Sequence, residues 1–469
     1  MNHLTENHRQ EFENFVQEIM KKEEAAGIGV AIVDGKGETA YEQYFGYRDL
    51  EEKLPIDRDT IFGLASVTKS FTCIAMMQLA ESGVLSLDDP VSKYIPEFTN
   101  KNQKETVKLW HLMCHSGGYF PQKRILVKDI ADELGIKEEN DKDFAYSEAI
   151  AEEGRKRVAQ RLDSQTQFTG RPGQRMSYCN DGFGLLSEVI RMMGDQASFA
   201  EYIREHITKP LRMDRTSCEF LSPASDENSA TLYWKKDGII HADHNYYNNA
   251  FVLNGGGALK STIRDMSRYL AMLLGKGTGL RGEEILSSCA VEELYKPRQF
   301  YLPGQFYGYG LVLKQLKDMT VIGHAGSLPG ISSYLAWSYE ANAGVVVLCN
   351  TRGISVSAIA DAALCMYRGF SPVPEKASVS EETWTQAMIE KTVGTYRSGE
   401  GDTFTIFQKS ENTVGVRIND QEQKSTVINP YTIKISSEFS NNAIQVIQEK
   451  EKICGIRYGS RIFPYERQK

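Results

Sequence analysis

Ser66-Val67-Thr68-Lys69 begins the stretch that decides the fold, and the apolar residues 71–80 (FTCIAMMQLA) follow it. These residues are apolar on nearly every side of a helix, which predicts a buried helix. Residues three positions apart share a helix face, so Lys69 can reach the Ser66 hydroxyl. Burial of the ammonium group would lower the lysine pKa and make it a base that activates the serine as a nucleophile. A capping serine with a surface lysine is the alternative interpretation.

A second candidate motif is Tyr178-Cys179-Asn180, which follows the turn-forming Pro172-Gly173. In an extended segment alternate side chains point the same way, so Tyr178 and Asn180 are expected to project into one cleft. A tyrosine beside a lysine can shuttle a proton, and an asparagine can hold both a substrate amide and the lysine. The alternative is a loop tyrosine and asparagine whose hydrogen bonds are satisfied locally.

The third candidate motif is His324-Ala325-Gly326-Ser327, shortly after the apolar pair Val321-Ile322. A glycine at a strand edge lets an extended substrate lie close to the backbone. The Ser327 amide can pair with the Ser66 amide as an oxyanion hole. A structural histidine near a strand is the alternative interpretation here.

In this order along the chain, the three motifs resemble those of the serine β-lactamase and penicillin-binding-protein superfamily. The similarity is greatest to the branch of class C β-lactamases, D-alanyl carboxypeptidases, D-aminopeptidases and related esterases, and it covers roughly residues 10–370. Further stretches that carry the resemblance are Leu85-Ser86-Leu87-Asp88-Asp89-Pro90, His115-Ser116-Gly117-Gly118, Pro210-Leu211-Arg212-Met213 and Gly255-Gly256-Gly257.

The resemblance implies that Ser66 is the acylated nucleophile and that Lys69 is its proton partner. It further implies that Tyr178 acts as the general base and then as the acid toward the leaving group. Asn180 would position the acyl side chain of the substrate. These three catalytic roles and the substrate-binding role are expectations that follow from the family.

The resemblance assigns His324, Gly326 and Ser327 to substrate binding, with one departure from the family pattern. His324 occupies the position where β-lactamases have a lysine, which supports the tyrosine and binds the substrate carboxylate. A histidine is only partly charged near pH 7. Family members with His-x-Gly tend to be esterases, aminopeptidases or peptidases acting on D-residues, so true β-lactamase activity is the minor alternative.

Strands are predicted near both ends of residues 1–372, and helices, including residues 128–168 and 258–274, between them. The terminal elements are a helix at 5–24, strands at 27–33, 38–47, 319–322, 334–338 and 344–350, and a helix at 358–367. We therefore expect an α+β, β-lactamase/transpeptidase-like domain over residues 1–372. Its antiparallel sheet would be built from both ends, with helices on both faces and an all-helical region.

Pro372 and Pro374 mark a linker, which is predicted to span residues 373–384. Beyond it, residues 385–469 contain short alternating strands broken by Asn, Gly, Ser and Asp, which predict a small all-β barrel or sandwich. Val393-Gly394-Thr395-Tyr396 at its entry resembles the lipocalin-like β-barrel domain found behind some members of the superfamily. This tail could cover the active-site cleft and select short substrates.

Composition narrows the classes of partner and compartment. The 469 residues carry a net charge of −8 without a long basic run, which argues against nucleic acid or an anionic membrane as the main partner. The polar start lacks the apolar core of a signal peptide, so a cytoplasmic protein is expected. Eight scattered cysteines form no Cys-x-x-Cys pair, and most of them are expected to be reduced and buried. No metal site, nucleotide loop or other cofactor is predicted.

The leading functional hypothesis is a serine hydrolase that cleaves an amide or ester of a small molecule or short peptide through an acyl-Ser66 intermediate. One alternative is a penicillin-binding sensor or regulatory protein that is acylated but deacylates slowly. A weak β-lactamase and a structural or interaction protein on an inactive fold are the others. The sequence makes no prediction of the oligomeric state.

Overall fold

The computed structural model describes residues 5–136, 147–219, 225–236, 238–244, 246, 253–373, 381–436, 441–449 and 452–466. Its helices are α1 (Glu6–Glu23), α2 (Thr68–Glu81), α3 (Val91–Tyr94), α4 (Leu109–Met113), α5 (Val127–Leu134), α6 (Glu148–Asp163), α7 (Asn180–Met193), α8 (Phe199–Ile203), α9 (Leu253–Gly257), α10 (Ile263–Leu274), α11 (Ser288–Leu294), α12 (Val356–Arg368) and α13 (Gln386–Thr392). Its strands are β1 (Gly27–Asp34), β2 (Thr39–Asp49), β3 (Leu54–Pro55), β4 (Phe62–Gly63), β5 (Leu232–Lys236), β6 (Ile239–Asp243), β7 (Lys260–Ser261), β8 (Gln299–Phe300), β9 (Gln305–Tyr307), β10 (Val312–Leu316), β11 (Met319–Leu328), β12 (Ile331–Ser338), β13 (Ala343–Cys349), β14 (Gly394–Arg397), β15 (Thr403–Ser410), β16 (Thr413–Ile418), β17 (Gln421–Gln423), β18 (Ser425–Asn429), β19 (Thr432–Ser436), β20 (Asn441–Glu449), β21 (Lys452–Tyr458) and β22 (Arg461–Pro464).

An antiparallel sheet of nine strands joins the beginning of the chain to a region far along it. Its order is β3-β2-β1-β13-β12-β11-β10-β9-β8. At its centre β1 pairs with β13, so that Val30 lies opposite Val347 and Ile32 opposite Val345. The prediction of an α+β domain whose sheet is built from both ends is therefore confirmed.

The central strands of this sheet carry apolar side chains on both faces, so both faces must be covered by other elements. Ala31 and Val33 of β1 belong to the core cluster that α10 joins, whereas Val30 and Ile32 belong to the cluster that contains α1 and α12. Helix α10 packs on β1 and β13 from one side, and α12 packs on the same strands from the other. The predicted helices on both faces are thus present.

Helix α2 lies inside the molecule, surrounded by other helices. Residues 71–77 are all buried, and Phe71 stacks on Tyr269 of α10 with 3.9 Å between ring centroids. Helices α7 and α9 pack against α2 from the helical side. The all-round apolar pattern that begins after Lys69 is explained by this position, which also fixes where Ser66 lies.

The helix predicted for residues 258–274 begins later than expected, at Ile263. Lys260 and Ser261 instead form β7, opposite Gly63 and Phe62 of β4. Two residues are too few to show the alternating pattern of a strand, so this pairing could not be recognised from the sequence. The predicted helical stretch 128–168 contains α5 and α6, while its residues 137–146 lie outside the described residues.

The C-terminal region is all-β apart from α13, as predicted. Its strands form a four-stranded sheet, β14-β15-β16-β17, and a five-stranded sheet, β18-β19-β20-β21-β22. They share one core cluster, which includes Tyr396, Ile406, Ile433 and Ile456. Closure of the two sheets into a lipocalin-like barrel stays a prediction, as do the domain limits, because residues 374–380 of the predicted linker are outside the described part.

The eight cysteines are all free thiols, and all except Cys289 and Cys454 are buried. In the part of the chain that the structure describes, no helix has the length and apolar character needed to span a bilayer.

Candidate active site

Ser66 lies in a single 3₁₀ turn, Ala65–Val67, which leads directly into α2. Ala65 has a positive φ of 46°, a conformation that is costly for a residue with a Cβ atom. The turn is anchored at its start, since the Ser333 hydroxyl of β12 donates a 2.6 Å hydrogen bond to the Leu64 carbonyl. Strained backbone thus directly precedes the candidate nucleophile and directs its side chain toward the first turn of α2.

Lys69 is fully buried, and its amine contacts Ser66. The Lys69 Nζ lies 3.1 Å from the Ser66 Oγ and donates a 2.6 Å hydrogen bond to the carbonyl of Gly256 in α9. Burial lowers the pKa of Lys69 well below its usual range, and the positive charge of Arg461 lowers it further. A neutral amine at this position can accept the proton of the serine hydroxyl. The structure therefore brings together the two residues of the first motif.

Tyr178 lies beside the same amine. The centre of its ring is 5.0 Å from the Lys69 Nζ. Burial raises the pKa of Tyr178 well above its usual range, although the Ser66 hydroxyl and the Arg461 charge partly oppose that rise. Burial thus favours the neutral forms of both groups, the free amine of Lys69 and the phenol of Tyr178. The role of Tyr178 as general base stays a prediction.

Asn180 is the first residue of α7, so the alternation expected for an extended segment 178–180 is not what orients it. It still faces the site, because a Cβ atom built on Gly256 would lie 3.4 Å from the Lys69 Nζ and 3.6 Å from the Asn180 Oδ1. The Oδ1 atom is buried without a hydrogen-bond partner among the described residues. An unpaired buried amide oxygen is uncommon, and it offers an acceptor to a ligand N–H.

His324 is buried and neutral. Its Nδ1 lies 2.6 Å from the Ala325 carbonyl, to which it donates, and its Nε2 accepts a 2.9 Å hydrogen bond from the Tyr307 hydroxyl. Burial, followed by the charge of Lys69, lowers the pKa of His324 from 6.5 to about 3. The sequence prediction of a partly charged imidazole must therefore be corrected, because desolvation removes the charge. Its ring centroid is 6.1 Å from that of Tyr178.

Gly326 and Ser327 lie where β11 presents an edge. Strand β10 pairs with β11 only as far as Gly323, whereas β12 continues to pair as far as Leu328. A Cβ atom on Gly326 would lie 2.1 Å from the Leu64 carbonyl oxygen, so only glycine allows this strand to approach the Ser66 turn. Ser327 is exposed at the edge. The Ser66–Ser327 oxyanion hole stays a prediction.

Two aromatic residues complete the interior of the site, and neither was assigned a role from the sequence. The His115 ring lies 4.0 Å from the Tyr178 ring, and its Nδ1 accepts a 3.2 Å hydrogen bond from the Cys179 backbone N–H. Tyr307 binds His324 and lies 5.3 Å from the His115 ring. His115 could have been found from the sequence, because the stretch His115-Ser116-Gly117-Gly118 carries part of the family resemblance. Tyr307 lies in a short strand without a recognisable motif.

The turn between β21 and β22 in the C-terminal region contacts the Tyr178 segment. The Tyr178 backbone N–H donates a 2.8 Å hydrogen bond to the Ser460 carbonyl, and the Ile462 N–H donates a 3.1 Å bond to the Ser177 hydroxyl. The Arg461 guanidinium lies 5.1 Å from the centre of the Tyr178 ring. The C-terminal strands thus form one side of the candidate active site.

Sequence comparison agrees with this geometry. The profile of the Beta-lactamase family matches residues 12–364, a stretch that contains all three motifs. The chain belongs to the Beta-lactamase family. The site residues Ser66, Lys69 and Tyr178 lie within the matched region, while Arg461 lies beyond it.

Individual relatives in the family are distant. The chain is 24% identical over 356 residues to Protein flp of Staphylococcus aureus (strain MW2), which covers 74% of this chain and 64% of that protein. It is 25% identical over 307 residues to a protein called Beta-lactamase in Yersinia enterocolitica, covering 63% of this chain and 67% of that protein. The chain therefore spans less than two thirds of Protein flp.

Among solved structures, the octameric penicillin-binding protein homologue from Pyrococcus abyssi resembles nearly the whole chain. It is 26% identical with a TM-score of 0.66, and the match covers 97% of this chain and 99% of that one. The similarity therefore includes the C-terminal strands as well as the family region. The eight-fold assembly is a property of that homologue.

No cluster of three or more His, Cys, Asp or Glu side chains able to hold a metal ion occurs within the described residues. His111, four residues before His115, accepts a hydrogen bond from the Lys108 backbone N–H at its Nδ1, 2.9 Å away. The described site thus consists of a serine, an amine, a phenol and hydrogen-bonding groups, which are the elements of acyl transfer.

Proposed function

We propose that this chain is a serine hydrolase that cleaves an amide or ester bond through an acyl-Ser66 intermediate. The observation that carries the proposal is the contact of 3.1 Å between the Ser66 Oγ and the buried Lys69 Nζ. Membership of the Beta-lactamase family supports the same reaction class. Within that class we propose a peptidase or carboxypeptidase acting on D-amino-acid residues, or an esterase.

In the proposed reaction, Lys69 accepts the Ser66 proton as the serine oxygen attacks the substrate carbonyl carbon. The Gly256 carbonyl holds the amine 2.6 Å away and so fixes its direction toward the serine. Tyr178, which retains its proton, donates toward the leaving group as the scissile bond breaks. The proton on Lys69 then passes to the Tyr178 phenolate, which restores both groups. Water attacks the acyl carbon while Lys69 accepts a proton from it, and Lys69 returns that proton to the Ser66 oxygen as the acid product leaves.

His324 and the open edge of β11 support a preference among possible reactions. A lysine at this position would carry a positive charge next to the substrate, whereas the neutral His324 carries none near pH 7. Hydrolysis of β-lactams, which carry a carboxylate on the ring system, is therefore the weaker alternative at this strand.

The proposal is tested by intact-mass spectrometry of the full chain with a fluorophosphonate probe and with benzylpenicillin. We expect one adduct on wild-type protein, which adds the full mass of benzylpenicillin or the mass of the fluorophosphonate less HF, and none on Ser66→Ala. Hydrolysis of p-nitrophenyl acetate and of D- and L-aminoacyl p-nitroanilides by Ser66→Ala should fall by several orders of magnitude. Full activity in that variant, or labelling elsewhere than Ser66, would refute the proposal.

A second candidate function is a sensor or regulatory protein that is acylated and deacylates slowly. The contact of the β21–β22 turn with Tyr178 favours it, since an acyl group on Ser66 would lie beside a region able to transmit a change. The time course of the penicillin adduct separates the two candidates. An adduct that disappears within minutes supports the hydrolase, and one that persists for hours supports the sensor.

A further inference from the structure

Arg461 is the first residue of β22, directly after the turn that follows β21, and its side chain lies beside the candidate active site. Its guanidinium lies 5.1 Å from the centre of the Tyr178 ring, and the Lys69 Nζ lies 5.0 Å from the same point. The turn is held there by the hydrogen bonds from Tyr178 to Ser460 and from Ile462 to Ser177. The position of Arg461 is therefore determined by the backbone next to the proposed proton donor.

Arg461 is oriented by a carboxylate. Its Nε lies 2.5 Å from Glu400 Oε2 and a second guanidinium nitrogen lies 3.3 Å from Oε1, a forked arrangement that fixes the plane of the group. The Arg461 side chain remains 28% exposed and Glu400 16% exposed. Because Glu400 contacts one side of the guanidinium, the exposed remainder can bind a second anion.

The charges around Arg461 are more positive than negative. Arg124 lies within electrostatic range of Arg461, and Arg352 lies within range of Arg124, whereas the acidic groups in range of Arg461 are Glu400 and Asp402. Burial favours the neutral form of the Lys69 amine, and His324 is neutral near pH 7 because its pKa is lowered to about 3. An anion that enters this region therefore meets an excess of guanidinium groups, which attract and orient carboxylates.

We propose that Arg461 binds the carboxylate of the substrate, so that the C-terminal region supplies the anion-recognition group that β11 lacks. The proposal rests on the acyl-Ser66 function above and names its substrate class: short peptides or N-acyl amino acids that carry a free carboxylate. A residue of extended peptide spans about 3.5 Å, so a carboxylate one or two residues from the scissile carbonyl can reach across the width of Tyr178 to Arg461.

The test uses the full-length protein and p-nitrophenyl acetate, a reporter without a carboxylate. N-acetyl-D-alanine and N-acetyl-L-alanine are added as competitive inhibitors, and each is compared with its uncharged C-terminal amide. The measured quantity is the ratio of the inhibition constants of the amide and the acid. This ratio does not depend on how fast the reporter is hydrolysed.

Wild-type protein is expected to bind at least one acid more tightly than its amide. Arg461→Gln should weaken the acid 10- to 100-fold, as for loss of a hydrogen bond to a charged group, and leave the amide within about threefold. Arg461→Lys, which keeps the positive charge but cannot donate two parallel hydrogen bonds, should give an intermediate ratio of the two inhibition constants. Arg397→Gln is the matched control, since Arg397 is an exposed arginine of the same region that is paired with Glu466.

Three outcomes would overturn the proposal. Wild-type protein that binds acid and amide equally has no carboxylate site, whatever the fate of the variants. A parallel loss of acid and amide in both Arg461 variants shows that Arg461 only supports Tyr178. An unchanged ratio in Arg461→Gln places the site elsewhere. Failure of the underlying hydrolase function would be seen separately, as equal reporter hydrolysis by wild-type and Ser66→Ala protein.

Discussion

The Lys69 amine donates a 2.6 Å hydrogen bond to the carbonyl of Gly256, a residue 187 positions further along the chain. Helix α2 carries the lysine, and the short helix α9, packed against α2 and α7, carries the carbonyl. The amine is therefore held between two elements, and its second hydrogen-bond partner is the Ser66 hydroxyl at 3.1 Å. Its position, like its pKa, is a product of tertiary packing.

Replacement of Lys69 by methionine should abolish acyl transfer while leaving the fold intact. The methionine fills the same apolar space but cannot accept the serine proton, so we expect kcat to fall at least a thousandfold in the p-nitrophenyl acetate assay. Lys260→Met is the matched control, because Lys260 is also buried but donates to the Cys218 carbonyl. Comparable loss in both variants would indicate general disruption of the core.

The pH dependence of acylation should follow the neutral form of Lys69. Its pKa is lowered well below 10.5 by burial, so kcat/KM should rise as the pH increases through that lowered pKa and then level off. Tyr178, whose pKa is raised above 10.0, should cause no alkaline decline below pH 10. In Tyr178→Phe the plateau value of kcat/KM should drop about 100-fold, while the rise of kcat/KM at acidic pH should remain. An acidic limb that disappears in this variant would contradict the assignment of the base to Lys69.

Gly326→Ala should separate activity from stability. Its Cβ atom would lie 2.1 Å from the Leu64 carbonyl, so either β11 or the Ser66 turn must move; we expect a cost of about 1–3 kcal/mol and a loss of activity of at least tenfold. In the control Gly344→Ala, the added methyl would lie 2.7 Å from the Leu270 side chain, 3.2 Å from the Ala336 carbonyl oxygen and 3.3 Å from the Trp337 Cβ atom, all away from the Ser66 turn. That variant should lose stability but keep kcat, as measured by urea unfolding and by esterase assay.

Structural features that depend on residues close together in the sequence could be predicted, whereas features that depend on distant segments could not. The sheet strands and α2 follow from apolar periodicity, and the Ser66–Lys69 contact follows from helical spacing. The start of α10 was placed too early, because β7 is defined by its pairing with β4 rather than by its own residues. Asn180 was expected in an extended segment, but α7 begins there.

Properties that arise from burial or from distant segments could not be read from the motifs. The pKa of His324 depends on desolvation inside the folded chain, and the histidine was predicted to be partly charged. Arg461 has no motif, and its proximity to Tyr178 requires the C-terminal strands to dock on residues 176–178. In the sequence Gly256 is only one residue of a glycine run, and its role as the hydrogen-bond acceptor for Lys69 follows from the packing of α9 against α2.

Stability should decrease on acidification because of His324. Its folded pKa of about 3 lies below the ordinary 6.5, so between these values the unfolded chain binds a proton that the folded chain excludes. The contribution of the neutral histidine is complete above pH 6.5 and is lost as the pH falls toward 3, by about 1.4 kcal/mol per pH unit. His324→Gln, which keeps an acceptor for Tyr307, should reduce this dependence in urea unfolding at pH 4.5 and 7.5, while His111 and His115, whose pKa values burial also lowers, keep their part of it. An identical slope in both proteins would exclude His324 as its source.

The contact between the C-terminal turn and the Tyr178 segment should support catalysis through Ser177. Its hydroxyl accepts the Ile462 N–H at 3.1 Å and is almost fully buried, so Ser177→Ala leaves that N–H without its partner. We expect a loss of about 1–3 kcal/mol and a lower kcat, because Tyr178 is the next residue. Ser187→Ala is the control, since that buried hydroxyl donates within α7 to the Gly184 carbonyl. If Ser177→Ala loses stability but retains full kcat at a temperature where it is folded, the C-terminal turn does not position Tyr178.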